Sequence, residues 1–289
     1  MSDRSSVHFR RNEVFRSIVE PEIAEILSVC LEAAISACAA AKASSDWRMT
    51  GGHPGQYGGD VSADLAAIAV LQASGYSVLS EESGLHMDSR ELIAVLDPID
   101  GSTNASRGLP TWCSSIAVLD DKGPLCGLVY APVIDQLYWA ARNSGGYLED
   151  KHLEVEPRQL NRSIVFLNGH SSVNFGWAQY RALGSAALEL SMVAAGSADA
   201  FVDLSSFGLA PWDYLAGELI CLEAGVQVVR LEVEAEPNQG ADVKSIEFGN
   251  FPVLHLKRAR LIAASSSPAL DELLALTSKL GTLDDSTSA

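Results

Sequence analysis

Apolar residues recur at helical spacing through residues 13–43, with Ile23, Ile26, Leu27, Cys30, Leu31, Ala34 and Ile35 in register, which predicts one or two helices. A glycine-rich stretch over 51–59 interrupts them and reads as a loop. Residues 65–73 are apolar and helical again, stopping near Gly75. The period then shortens. Apolar runs at 77–80, 91–97, 113–120, 125–130 and 138–141 predict strands, with Asp121-Lys122-Gly123 as a hairpin turn between the third and fourth. Further on, strands at 163–167, 200–203, 226–231 and 260–264 alternate with helices at 186–195, 212–224 and 269–279. Gly225 closes the second of these helices and Pro268 stands near the start of the third. Residues 233–258 are mixed and charged, an excursion, and the tail from Gly281 is polar and expected to fray.

This pattern predicts a layered assembly of sheets and helices. No repeat or low-complexity linker separates its halves, so two packed subdomains are expected, 1–150 and 151–289. The length of 289 residues suits one large domain or two ordinary ones, at ~150 residues each. Apolar residues make up 47 % of the chain, too many for a disordered protein.

Charge narrows the partners. A formal net charge of −17 argues against a nucleic-acid partner or an anionic membrane, since few cations are available to neutralise phosphates. No stretch approaches ~20 uninterrupted apolar residues, so no membrane span is expected. Residues 1–15 are charged and lack the apolar core of a secretory signal. The five cysteines, Cys30, Cys38, Cys113, Cys126 and Cys221, form no C-x-x-C pair and read as free buried thiols. A cytoplasmic, reducing location is the expectation.

The chemistry concentrates in residues 60–104. This stretch holds the carboxylates Asp60, Asp64, Glu81, Glu82, Asp88, Glu91, Asp97 and Asp100, with Arg90 to offset them. Asp97-Pro98-Ile99-Asp100-Gly101-Ser102-Thr103-Asn104 follows directly on an apolar strand. Pro98 prevents that strand from continuing regularly, and Gly101 permits a sharp turn. Two carboxylates three residues apart on such a turn can point at one spot, and their repulsion is relieved by a hard divalent cation such as Mg2+. Gly101, Ser102, Thr103 and Asn104 then offer small residues at a helix start, whose N–H groups and dipole favour an anion. Metal ligands beside an anion cradle point to a phosphate ester.

With these residues in place, the chain resembles the inositol monophosphatase family of metal-dependent phosphatases. Glu81-Glu82-Ser83 is similar to the family's E-E-S, and 97–104 to its D-P-[IL]-D-G-[ST]-[TR]-[NE]. Trp212-Asp213-Tyr214-Leu215-Ala216-Gly217, followed by Glu223-Ala224-Gly225, is similar to W-D-x-A-A-G and E-A-G. Residues 181–188 resemble the segment before the family's last core helix.

The resemblance implies an α+β fold arranged as an α-β-α-β-α sandwich, a homodimer, and two or three Mg2+ ions. It implies that Glu81, Asp97 and the carbonyl of Ile99 hold one ion, and that Asp97, Asp100 and Asp213 hold a second. Asp64 matches the upstream aspartate, which acts through water or a third ion. Ser102, with Glu81 or Asp64, would orient the attacking water. The N–H groups of Gly101, Ser102 and Thr103 would take the phosphate, while Gly184, Ser185 and Ala186 line the alcohol side. The partner implied is a small phosphorylated metabolite, with inositol 1-phosphate the first candidate. Fructose 1,6-bisphosphate, histidinol phosphate and 3′-phosphoadenosine 5′-phosphate are the alternatives, and a silent binding protein of the same fold is the rival of another class.

The chain departs from the pattern in three places. Ala105 stands where the family has an aromatic, and Val226 where it has a second glycine. Ser206 occupies the place of the glutamate, seven residues before Asp213, that contacts the sugar ring. The nearest acid is Asp203, read as a strand-end carboxylate facing water, with a substrate contact as its alternative. Glu82 reads as a solvated or supporting group. The six histidines show no ligand spacing, and Arg107 reads as a surface residue.

Overall fold

The computed structural model describes residues 4–50, 52, 55–88, 91–171, 174–233 and 257–284. Most of the excursion expected at 233–258 lies outside them, as do Arg90, His53, His255 and the last five residues. Three helices lead: α1 (Arg4–Ile18), α2 (Pro21–Ala43) and α3 (Gly58–Ala73). Then come β1 (Ser77–Ser80), β2 (Gly84–His86), β3 (Ile93–Asp100), the short α4 (Ser102–Ser106), β4 (Cys113–Asp120), β5 (Gly123–Ala131), β6 (Gln136–Ala141), β7 (Gly145–Leu148) and β8 (Lys151–His152). The second half carries β9 (Ile164–Asn168), β10 (Gln179–Arg181), α5 (Ala186–Ala194), β11 (Ala200–Asp203), α6 (Pro211–Glu223), β12 (Gln227–Glu232), β13 (Ala259–Ala264) and α7 (Ser267–Asp284).

The first eight strands form one sheet, ordered β2-β1-β3-β4-β5-β6-β7-β8, in which only β1 and β3 run parallel. The other five form a second sheet, ordered β10-β9-β11-β13-β12. Side chains of β3 alternate between two cores, as the period of a strand requires: Ile93 and Val95 face α5 and α6, while Ala94 and Leu96 face α2 and α3. Helices α5 and α6 lie between the sheets, touching β4 and β5 on one side and β11 and β12 on the other. Helix α7 covers the outer face of the second sheet. The result is five layers, the α-β-α-β-α sandwich expected.

Several details differ from the sequence reading. Helix α3 starts at Gly58, inside the glycine-rich stretch, because the Asp60 carboxylate accepts the Tyr57 N–H at 2.8 Å and stabilises the first turn. Helix α7 continues to Asp284, past its expected end at 279 and into the tail expected to fray from Gly281. Strand β3 runs through Pro98 to Asp100, at the cost of a register shift between Asp97 and Asp100. Among the described residues, α2 is long and apolar enough to cross a bilayer, which the requirement for an uninterrupted run had excluded. Half of its most apolar window is buried, against α3 and the first sheet. All five cysteines are free and buried.

Two motif residues serve the architecture. Glu223 holds the β6–β7 turn, accepting the N–H groups of Asn143 at 2.8 Å and Gly145 at 2.9 Å. Gly217 lets α5 and α6 approach closely: a Cβ there would lie 2.9 Å from Leu190 Cβ and 3.0 Å from Ala187 O.

Candidate metal centre

Because β1 and β3 are parallel neighbours, both deliver their following residues to the same edge of the sheet. The Glu81 N–H bonds Leu96 O at 3.1 Å, which extends that pairing by one step and sets Glu81 beside Asp97. The third acid comes from α6. Pro211 opens that helix, and Asp213 folds back to accept the Ala210 N–H at 2.7 Å, a bond that locks the helix start and aims the carboxylate. Ligand oxygens of Glu81, Asp97 and Asp213 all lie within 4.8 Å of one another.

Burial and mutual repulsion dominate the electrostatics. Burial first, then the charges of Asp213, Glu82 and Asp100, hold the Glu81 carboxyl well above the ordinary carboxylate range. Asp97 is raised likewise, by burial and then by Glu81, Asp100 and Asp213. Burial lifts Asp213 to about 7, with Asp100 adding to it. Among the described residues no Lys or Arg forms an ion pair with any of the three. Like charges this close require protons or a cation, and an all-oxygen donor set suits a hard divalent ion. The residues present therefore fit a metal of the Mg2+ class.

Asp100 stands at the edge of this group. Its Oδ2 faces the start of α5, accepting Ser185 Oγ at 2.9 Å and the Ala187 N–H at 2.7 Å, with Cys113 Sγ at 3.7 Å. Burial raises its carboxyl to about 6 while these donors pull it down. The Ile99 N–H bonds Asp97 Oδ1 at 2.9 Å, and the Ile99 carbonyl accepts Ser102 Oγ at 2.9 Å. Gly101, at φ +95°, turns the chain from β3 into α4. The first turn of α4 then leaves the Ser102 and Thr103 N–H groups without helical partners.

Asn104 ties this cradle to the opposite wall. Its Nδ2 reaches Leu183 O at 2.7 Å, Thr111 O at 2.6 Å and, more weakly, Gly184 O at 3.4 Å. Gly184, Ser185 and Ala186 thus stand across from Gly101, Ser102 and Thr103. Asp64 is placed differently: it is buried on α3, and its Oδ1 accepts Ser80 Oγ at 2.5 Å. Glu82 accepts Gln56 Nε2 at 2.6 Å, and the Tyr57 hydroxyl lies 3.4 Å from Thr103 Oγ1, so the segment before α3 touches both motifs.

Asp203 corrects the sequence reading. It does not face water: it is 1 % exposed, and its Oδ1 accepts Asn168 Nδ2 at 3.0 Å and the Ser205 N–H at 2.9 Å. No hydrogen bond among the described residues reaches its buried Oδ2. Sequence reasoning also passed over Glu189, whose signal was a lone acid within an apolar helix.

A family profile of the inositol monophosphatase family matches residues 60–280, and the chain belongs to that family. A Xylella fastidiosa protein named Nus factor SuhB is 29 % identical over 214 residues, 68 % of this chain and 76 % of that one. A fructose-1,6-bisphosphatase/inositol-1-monophosphatase of Aquifex aeolicus is 32 % identical over 165 residues, which span 52 % of this chain and 61 % of that protein. The solved inositol monophosphatase of Anabaena shares the fold, with a TM-score of 0.68 at 24 % identity over 89 % of this chain and 97 % of that one.

Proposed function

We propose that the chain is a Mg2+-dependent phosphomonoesterase acting on a small polyol or sugar phosphate, inositol 1-phosphate first among them. The observation that carries this reading is the three-carboxylate group of Glu81, Asp97 and Asp213 beside the first turn of α4. Glu81, Asp97 and the Ile99 carbonyl would hold one ion, and Asp97, Asp100 and Asp213 a second. Such ions supply charge neutralisation at the phosphate and a more acidic attacking water.

The chain's own groups do the rest. The N–H groups of Gly101, Ser102 and Thr103 bind the phosphate oxygens at the positive end of α4. Ser102 Oγ donates to Ile99 O at 2.9 Å, so its lone pairs are free to accept a hydrogen bond from the attacking water and orient it. Phosphoryl transfer needs positioning and neutralisation more than a protein nucleophile, and no nucleophile is assigned. Ser185 and Ala186 line the leaving alcohol. Among the described residues the buried Oδ2 of Asp203 has no hydrogen-bond partner, which suits a substrate hydroxyl. A homodimer, a cytoplasmic location and a small phosphorylated metabolite as partner, with neither nucleic acid nor membrane, complete the proposal.

A second reading, a family member that acts by binding, is favoured by the relatives named Nus factor SuhB. The complete acidic group speaks for turnover. Phosphate release from inositol 1-phosphate, fructose 1,6-bisphosphate, histidinol phosphate and 3′-phosphoadenosine 5′-phosphate separates the two. Release from one of them, lost on Asp203→Ala more through KM than kcat, supports the assigned substrate side. Absence of release from all four favours the binding reading.

A further inference from the structure

Glu189 lies on α5 at 1 % exposure, and no Lys or Arg among the described residues forms an ion pair with it. Burial lifts its carboxyl to about 8 against the pull of the Leu183 and Gly184 N–H groups, and the charge of Asp100 adds to the rise. A buried acid without a cation is a costly choice for a helix that needs only apolar packing. Its bonds indicate what it does there.

Glu189 Oε1 accepts the Leu183 N–H at 2.6 Å. The carbonyl of the same residue is held from the cradle side, by Asn104 Nδ2 at 2.7 Å and Thr111 Oγ1 at 3.1 Å. Leu183 is therefore pinned at both ends, once by α5 and once by the phosphate cradle. From it the chain turns through Gly184, at φ +78°, and reaches Ser185 and Ala187. Those two residues donate to Asp100 Oδ2 at 2.9 and 2.7 Å. An unbroken run of hydrogen bonds and short backbone thus connects Glu189 to the orientation of the Asp100 carboxylate.

We propose that Glu189 is a positioning residue: by accepting the Leu183 N–H it sets the turn 183–187, and through that turn the orientation of Asp100 and its distance from the cradle. The kinetic part of this inference rests on the phosphatase reading; the metal-affinity part needs only that Asp100 contributes to the ion site. The hydrogen-bond acceptor matters here, and the negative charge does not. Glu189→Gln keeps a carbonyl oxygen in place, Glu189→Asp withdraws the acceptor by one methylene, and Glu189→Leu removes it and takes away the partner of the half-buried Leu183 N–H.

The test uses the full-length protein and these three variants, with folding checked by thermal unfolding. Mg2+ affinity is measured calorimetrically without substrate, and kcat and KM on the ester the wild type hydrolyses fastest. Supporting groups behind metal ligands typically cost about 10–100-fold in affinity or activity when removed, and that range is expected for Glu189→Leu in both Mg2+ affinity and kcat. Glu189→Gln should stay close to wild type and Glu189→Asp should fall between; if the leucine variant does not fold, the aspartate variant carries the comparison. Wild-type Mg2+ affinity in a folded leucine or aspartate variant would overturn the proposal. So would a glutamine variant damaged as badly as the leucine one. A wild type that binds Mg2+ but hydrolyses no ester sinks the phosphatase reading alone, and the affinity comparison still decides the role of Glu189.

Discussion

Replacing Glu189 by Gln should change how the stability of the metal-free protein depends on pH. The Glu189 carboxyl titrates near 4.5 in an unfolded chain and at about 8 in the fold. Below the first value both states hold the proton and the group is neutral with respect to folding. As pH rises the unfolded chain releases its proton while the fold retains it, so stability falls, and the loss is complete above the folded value. Between pH 5 and pH 9 this amounts to about 4 kcal/mol. Gln does not titrate. It introduces an amide N–H group that can lack a partner, a penalty of about 1–3 kcal/mol that is the same at every pH. The slope of the difference therefore carries the test, and the offset does not. Urea unfolding of both proteins in chelator at pH 5, 7 and 9, fitted with one m value, measures it. The difference should move by about 3–4 kcal/mol in favour of the variant across that range. Parallel pH dependences would show that Glu189 is hydrated or neutralised by a cation, and would refute its placement as a buried lone acid.

Asp97→Asn and Asp213→Asn should each abolish phosphate release with the fold intact, because Asn keeps an acceptor for the Ile99 and Ala210 N–H groups at 2.9 and 2.7 Å; near-normal turnover in either removes the assigned ligand set. Ser102→Ala should lower kcat more than it raises KM, and an unchanged kcat would leave Ser102 a turn residue. Gly101→Ala forces a side chain into φ +95° with its Cβ 3.1 Å from both Gly184 O and Thr111 O. Thermal unfolding should register a loss of about 1–3 kcal/mol, and a stability equal to wild type would mean that the cradle and the wall are not in contact there.

Much of this arrangement was legible in the chain because the informative elements are buried on both faces. Strands β3, β4 and β5 carry short apolar runs at 93–96, 116–119 and 125–129 for that reason, and α5 and α6 sit between two sheets and read as apolar helices. The short edge strands β2, β8 and β10 bury little and left no pattern. Gly58 and Gly59 disguised the start of α3, since their low helix propensity is overridden by the carboxylate of Asp60 in the first turn, a capping contact that leaves no trace in the apolar periodicity. Local spacing suggested that Asp97 and Asp100 converge. The register shift falls between the two residues, and one oxygen of Asp100, Oδ2, is taken by donors at the start of α5, while its charge still acts on Asp97 and Asp213. Asp213 is brought to Glu81 and Asp97 by packing across layers, and only the motif around Trp212 announced it. Asp203 read as exposed because nothing nearby in the chain covers it; its burial comes from the second sheet and the loop that follows.

The most direct test of the account is phosphate release by the wild-type protein on the four-ester panel, in chelator and then with Mg2+ restored. The acidic group of Glu81, Asp97 and Asp213 predicts no release in chelator and recovery of release from at least one ester when Mg2+ is added back. Release that persists undiminished in chelator would contradict it.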